Sequence, residues 1–254
     1  MNARATSQPR TRIPIARVGV CRLGNLATAE RARLTDACYE LWSEFFEGMA
    51  QARFVETHLF DDTYLGFAEG VDGRLAAFYN VNLLDLVVAG ERVMIMTSGV
   101  FIRLEYAASF ALKRGGFRLA LRLRLRHPFT RFVWVPIATT PVAYRNLAKS
   151  SRRFYPHPNL PTPNYVAPVL AEMCRHRKLV VDPENPFVVE FGIRQRRIDQ
   201  LRRSARMQQS DAFMRHFIEM TPNWERGRAL MALVPLDLRS LLDSAIMLAR
   251  RPKL

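Results

Sequence analysis

This chain of 254 residues is poor in cysteine, in acid relative to base, and in long apolar runs. Its three cysteines, Cys21, Cys38 and Cys174, form neither a CxxC pair nor an even set. That argues against a disulfide framework and fits a reducing, cytoplasmic setting. No apolar run reaches the length of about 18 residues that a membrane-spanning helix needs. The N-terminal arginines (Arg4, Arg10, Arg12, Arg17) precede no apolar segment of the kind a secretory signal carries. The five histidines, His58, His127, His157, His176 and His216, are scattered without HxxxH or HExxH spacing, so no metal site is expected. GxSxG, Walker A and GxGxxG sequences are absent, as are zinc-finger spacing, basic-region heptads and an RNP-like run. Acid is scarce in a consequential way: 23 Asp and Glu face 38 Lys and Arg, giving a formal charge of +15. Such a field attracts polyanions, whether nucleic acid, an anionic membrane surface with peripheral attachment, or an acidic acyl-carrier protein.

What is present is a foldable amount of apolar residue, 49%, in a length that suits one large domain or a domain with an extension. Residues 1–25 carry Pro9, Pro14 and several arginines but no acid, and read as a basic flexible arm with a strand at Ala16–Arg22. From Thr28, apolar residues recur at three- and four-residue steps (Leu34, Ala37, Cys38, Leu41, Trp42, Phe45, Phe46, Met49), which predicts one amphipathic helix. The period then shortens. Thr63–Glu69, an Asp72-Gly73 turn and Arg74–Val81 predict a hairpin, and Leu83–Val88, a Gly90 turn and Val93–Ile102 extend it into a meander. Arg118–Arg126 is ambiguous: strict Leu/Arg alternation argues for a strand, while arginines four apart argue for a helix. A helix from about Glu105, bent at Gly115-Gly116, is the expectation, because the strand at Phe132–Ile137 then follows a crossover. The arginines on it, Arg118, Arg122 and Arg126, read as a solvated face or as a surface for phosphates or lipid headgroups. Beyond the proline-rich connector Pro156–Pro163 the sequence predicts a helix at Tyr165–Leu179 and a strand at Pro186–Phe191. Arg194–Arg206 is arginine-rich, and helical and mixed segments follow to Ala249, with Trp224 and Gly227 serving a turn before a buried strand.

The unit from Arg92 to Pro156 has the order strand, helix, strand, helix, which can hold an anionic group at a helix N-terminus. Here residues 28–155 resemble the GCN5-related N-acetyltransferase (GNAT) superfamily, on two short patterns besides the order of elements. The family's Arg/Gln-x-x-Gly-x-Gly/Ala loop, which offers backbone N–H groups to the pyrophosphate of acyl-CoA, is similar to Arg103-Leu-Glu-Tyr-Ala-Ala108, with Tyr106 in place of a glycine. The family's Asn-Pro-x-Ala-x-x-x-Tyr segment is similar to Thr140-Pro-Val-Ala-Tyr-Arg-Asn-Leu147. Leu147 stands at the tyrosine that acts there as general acid, and Tyr144 lies one helical turn earlier on the same face.

The resemblance implies an α+β fold: a GNAT-like central mixed sheet, largely antiparallel and flanked by helices, over residues 26–156, with an α/β extension at 157–254 packed on it. It implies attack by an amine on a thioester, with acyl-CoA or acyl-phosphopantetheine as co-substrate and no tightly bound cofactor. Ile102, Arg103, Tyr106, Ala107 and Ala108 would face the donor, Tyr144 would be the acid, and Glu105 the base, with Glu69 and Asp85 as the other candidate carboxylates. A donor on an acidic carrier protein would be steered by Arg118, Arg122 and Arg126. The competing reading is a non-catalytic basic protein that binds an anionic membrane or nucleic acid through its N-terminal arm and Arg194–Arg206.

Overall fold

In the computed structural model, which describes residues 12–103, 105–106, 109–196 and 211–249, strand β1 (Ile15–Arg22) forms one edge of a nine-stranded sheet. Helix α1 (Thr28–Ser43) buries Leu34, Cys38, Leu41 and Trp42, residues spaced to lie on one face. The helix stops at Ser43 rather than running through Met49. Phe46 lies instead in the short strand β2 (Phe46–Glu47), and Gly48, at φ +95°, turns the chain into a second helix, α2 (Gln51–His58). The apolar recurrence continues past the break because both parts feed one aromatic cluster, in which the ring of Trp42 lies 5.3 Å from that of Phe46 and 5.4 Å from that of Phe54.

The meander follows. Strand β3 (Tyr64–Gly70) turns through Asp72-Gly73 into β4 (Leu75–Val88), a single strand of 14 residues where the sequence predicts two. Ala89 and Gly90, both at positive φ, form the two-residue turn into β5 (Glu91–Ile102). Arg118–Arg126 is helical, the second half of α3 (Ser109–Arg126). The helix begins after the segment around Glu105 because that backbone still belongs to the sheet: the Arg103 N–H donates to the Ala76 carbonyl, and Tyr106 bridges to Ile13. Helix α3 runs on through Gly115 and Gly116, and the first of these lets the Tyr79 hydroxyl come close, since a Cβ there would stand 3.2 Å from it. Leu119, Ala120 and Leu123 face the sheet, while Arg118, Arg122, Leu125 and Arg126 are exposed.

Strand β6 (Arg131–Ala138) runs parallel to β5, as a crossover through α3 requires. It leads into α4 (Pro141–Ala148), whose cap is the Thr140 hydroxyl accepting from the Ala143 N–H at 3.1 Å. Helix α5 (Val166–Arg177) and strands β7 (Val180–Val181), β8 (Val188–Glu190) and β9 (Arg194–Gln195) come next. Helix α6 (Ala212–Met220), capped by Asp211, then leads to β10 (Arg228–Met231), β11 (Val234–Pro235) and α7 (Leu238–Ala249). The main sheet has the order β1-β3-β4-β5-β6-β10-β8-β7, with β11 also on β6, and β2 pairs separately with β9. Residues after Pro156 thus complete the sheet begun before it. The fold is α+β, a large and mostly antiparallel sheet flanked by helices. On one face, α3 and Leu241 of α7 pack over Tyr79, Met94, Met96 and Phe132; on the other, α5 packs over Val93, Ile95 and Val133, and α1 with α2 over Phe67 and Phe78.

The Tyr79 ring lies flat against Gly66 on the neighbouring strand, where an added Cβ would meet it at 2.1 Å. Gly66→Ala is therefore expected to cost about 1–3 kcal/mol by overpacking. Urea unfolding checks this, and adding Tyr79→Leu in the same chain should return part of the loss, since the two changes share one space.

Candidate active site

Strand β5 pairs with β4 along its whole length, from Glu91 to Ile102, but with β6 only from Val93↔Arg131 to Ser98↔Pro136. Past that point β6 turns to β10, with Ile137 opposite Met231 and Ala138 opposite Leu230. Pro136 has no N–H to continue a ladder, and its carbonyl accepts from Ala232 rather than from β5. Every other described strand pairing is antiparallel. The carboxyl ends of the one parallel pair thus diverge and leave Gly99–Ile102 of β5 without β6 alongside. Ligands in α/β sheets favour such openings outside the carboxyl ends of parallel strands.

The residues at the opening are small or polar. Thr97 and Ser98 are consecutive, so their hydroxyls project from opposite faces of the sheet. Ser98 shares the α3 face with Met94 and Met96, and its oxygen accepts from the Trp134 indole at 2.9 Å. Its own O–H remains available to donate. Val100, two residues on and on the same face, is 57% exposed, which a central strand permits only because β6 has left its side. Thr97 lies on the other face, with Val93 and Ile95, and its oxygen is shielded from solvent without a hydrogen-bond partner.

Opposite Thr97 on β4 is a polar seam between two blocks of apolar core. The buried Asn80 and Asn82 both donate to the His58 carbonyl at the end of α2, at 3.1 and 3.2 Å. The Asn82 carbonyl oxygen also accepts from Thr63, and that of Asn80 accepts from the Gly99 N–H. Arg177, at the end of α5, donates to the adjacent carbonyl of Thr57 at 2.7 Å and lies over the Phe60 ring, while its Nη1 is buried without a partner. Burial lowers the Arg177 pKa, and it also holds His58 down at about 4, with help from the Arg177 charge. On this face the short β2–β9 ribbon lies over the end of β6: the Gln195 amide donates to Thr139, and the Arg196 guanidinium to the Phe46 carbonyl.

The residues singled out from the sequence are distributed around this opening rather than gathered in it. The Arg103 guanidinium is 2% exposed and fully engaged: Nε donates to Glu44 at 2.8 Å, Nη2 to Glu40 at 2.9 Å, and Nη1 to the Leu75 carbonyl at 2.5 Å. It pins the end of β5 to α1. The Tyr106 ring is buried in the α3-side core and its hydroxyl donates to Asp72 at 2.6 Å, so it does not stand over the helix start. Ile102 is half-buried against the same core, while Ala107 and Ala108 lie outside the described residues. Glu105 is exposed on the turn that follows β5. Tyr144 is buried among Phe154, Phe217 and His216, with its hydroxyl donating to the Pro156 carbonyl at 2.6 Å. Burial raises its pKa. Glu69 is bound by Arg17 and Arg33, and Asp85 by Arg92 at the far end of β5. Of the arginines in Arg194–Arg206, only Arg194 and Arg196 lie within the described residues.

Comparison with solved structures gives low-identity neighbours. One is a conserved Enterococcus faecalis V583 protein of unknown function with the label probable N-acyltransferase: TM-score 0.36, 16% identity, 52% of this chain and 32% of that one. Another carries the provisional name phosphinothricin N-acetyltransferase: TM-score 0.31, 15% identity, 58% of this chain and 90% of that one. No family model and no curated protein matches the sequence.

Thr97, Ser98, Asn80, Asn82 and Arg177 were not singled out from the sequence. The first four carry a signal, as a Thr-Ser-Gly break in the apolar run of β5 and two asparagines inside the apolar run of β4; Arg177, one of several basic residues ending α5, carries none.

Arg103→Met takes from Glu44 its closer guanidinium partner and from the Leu75 carbonyl its donor, and should cost about 2–4 kcal/mol in urea unfolding. For His58, the native pKa of about 4 lies below the unfolded value of 6.5, so the unfolded state binds the extra proton. Stability should be complete above pH 6.5 and fall as pH drops toward 4, by about 3 kcal/mol in all. His58→Gln should flatten that part of the pH profile.

Proposed function

We propose that this chain is an N-acyltransferase that moves an acyl group from a thioester donor, acyl-CoA or acyl-carrier protein, to an amine acceptor in the opening between β5 and β6. The observation that carries this reading is the parting of the parallel pair after Ser98↔Pro136, which leaves backbone of β5 without its strand neighbour. The order of elements around it, helix, meander, helix, strand, helix, is the one the resemblance implies.

The reaction requires an amine nitrogen to attack a thioester carbonyl, an oxyanion to form, and a thiolate to leave. An extended acyl-pantetheine arm on the α3 face would run along Val100 and take backbone hydrogen bonds from the unpaired part of β5. The Ser98 O–H, oriented by the indole of Trp134, would donate to the oxyanion or the departing sulfur. The acceptor would approach from the α2/α5 face, where the Thr97 oxygen, without a partner beside the asparagine seam, offers an acceptor for an ammonium hydrogen. Glu105 is the carboxylate nearest along the chain to the end of β5 and would take the released proton through solvent. Tyr144 would serve as acid only after giving up the Pro156 carbonyl, which makes Ser98 the better placed hydroxyl.

Thiol release from a panel of acyl-CoA and acyl-carrier donors, with and without amines, tests the reading. Turnover should need both substrates, and Ser98→Ala should lower kcat on the order of tenfold to a hundredfold, with Thr97→Val acting mainly on the acceptor KM. No thiol release with any pair, together with nucleic acid or anionic lipid co-purifying with the chain, would replace it with the binding-protein reading.

A further inference from the structure

Between Glu105 and Glu172 the sequence contains no acidic residue. The earlier part of that span, the second half of α3 and the turn after it, presents a single surface. Arg118, Arg122, Leu125 and Arg126 are exposed and lie within one helical face, at positions zero, four, seven and eight. Leu125 is 63% exposed, and Phe129, on the turn before β6, is 100% exposed. The three arginines have no acidic partner among the described residues. Arg124 is used differently: it donates to the carbonyls of His127, Pro128 and Thr130 at 2.7 to 2.8 Å. The turn is therefore held from inside, and the outward position of Phe129 is built into the fold. Across a cleft of about 600 Å³, lined by Phe129, Arg131, Tyr165 and Asp237 among others, the first turns of α7 add Leu238 and Leu242, 60% and 65% exposed and four residues apart.

We infer that this face, Arg118, Arg122, Leu125, Arg126 and Phe129, docks on an anionic lipid bilayer. Apolar tips ringed by arginines suit the boundary between headgroups and acyl chains: Phe129 and Leu125 enter it, and the guanidinium groups stay with lipid phosphates. Each arginine near such a surface contributes about 1 kcal/mol, and an apolar insertion adds to that. Nucleic acid would supply the phosphates but leaves an exposed Leu and Phe nothing to bury against. A carrier protein is disfavoured by position. Helix α3 has 18 residues, about 27 Å, so Arg126 and Phe129 stand at the end remote from the opening between β5 and β6. The inference is independent of the acyltransferase reading.

The test is co-flotation of the full chain with phosphatidylcholine vesicles, with and without 30 mol% phosphatidylglycerol, alongside Phe129→Trp as a reporter. Binding should require the anionic lipid and weaken with salt. It should fall on the order of a hundredfold in the triple variant Arg118→Glu/Arg122→Glu/Arg126→Glu. The emission contributed by the introduced indole, taken as the difference from the unsubstituted chain, should shift to the blue on saturating vesicles and be quenched by brominated acyl chains. All the changed side chains are exposed, and circular dichroism would confirm folding. Vesicle binding that is unchanged in the triple variant, or a reporter emission that ignores bound vesicles, would overturn the inference and assign binding to another basic segment. Retention of DNA or an acyl-carrier protein in place of vesicles, lost in the same triple variant, would overturn it in favour of that partner.

Discussion

Strand β5 is hydrogen-bonded to one neighbour for twelve residues and to the other for six, and the candidate site depends on that inequality. A sheet that kept both neighbours would close its backbone groups to any ligand. Here the long antiparallel ladder with β4 holds β5 straight while β6 leaves it. Pro136 sits where the two part, lacking the donor that a longer ladder would use. β10 and β11 then draw β6 the other way, so the divergence is held by hydrogen bonds on both sides.

That arrangement needs the free end of β5 to be fixed by something other than a strand. Arg103 supplies the fixing, one residue beyond the strand, with its guanidinium on Glu40, Glu44 and the Leu75 carbonyl. A charge this deeply enclosed is tolerable only when its donors are matched. On that same face the Asn80 and Asn82 amides hold α2 at the His58 carbonyl, and the Asn80 oxygen takes up the Gly99 N–H. The polar groups near the opening are thus mostly used to build it. The Thr97 oxygen and the Ser98 O–H have bonding capacity left over, as do Arg177 Nη1 and the Tyr79 hydroxyl, and Thr97 and Ser98 stand where β6 leaves β5, which is why these two, rather than the residues in the motif-like patterns, fall at the functional centre of the proposal.

Much of the architecture was legible in the sequence, for reasons that can be given residue by residue. The Asp72-Gly73 turn, the Gly90 turn and the strand at 131–138 follow from local chemistry, and the alternating Leu/Arg segment resolved to a helix because a parallel strand has to follow it. The break between α1 and α2 was hidden, since Phe46 and Phe54 continue the apolar recurrence into the same aromatic cluster. Pattern matching also favoured Arg103 and Tyr144 as chemistry, yet both are enclosed by tertiary partners far along the chain: Glu40 and Glu44 for the one, Pro156 and Phe217 for the other. Spacing alone carries no information about such partners. Polar residues interrupting apolar strands, as Asn80, Asn82 and Thr97-Ser98 do, were the more telling sign, because a buried polar group persists only where something satisfies it or needs it.

The two ends of α3 are chemically unlike, and this constrains how the two proposals fit together. Its start lies by the opening between β5 and β6; its end carries Phe129 and arginines with no acidic partner among the described residues. A bilayer that received the Phe129 end would leave the opening about one helix length, about 27 Å, along the axis from the contact. That is roughly the thickness of a bilayer's hydrocarbon core and well beyond the Debye length at physiological salt. Donor and acceptor would then meet the opening in the aqueous phase, and a lipid chain still embedded in the membrane could not extend to it. Docking and transfer are therefore separable in this fold: charge changes on α3 alter where the protein sits without reaching the groups at Ser98 and Thr97.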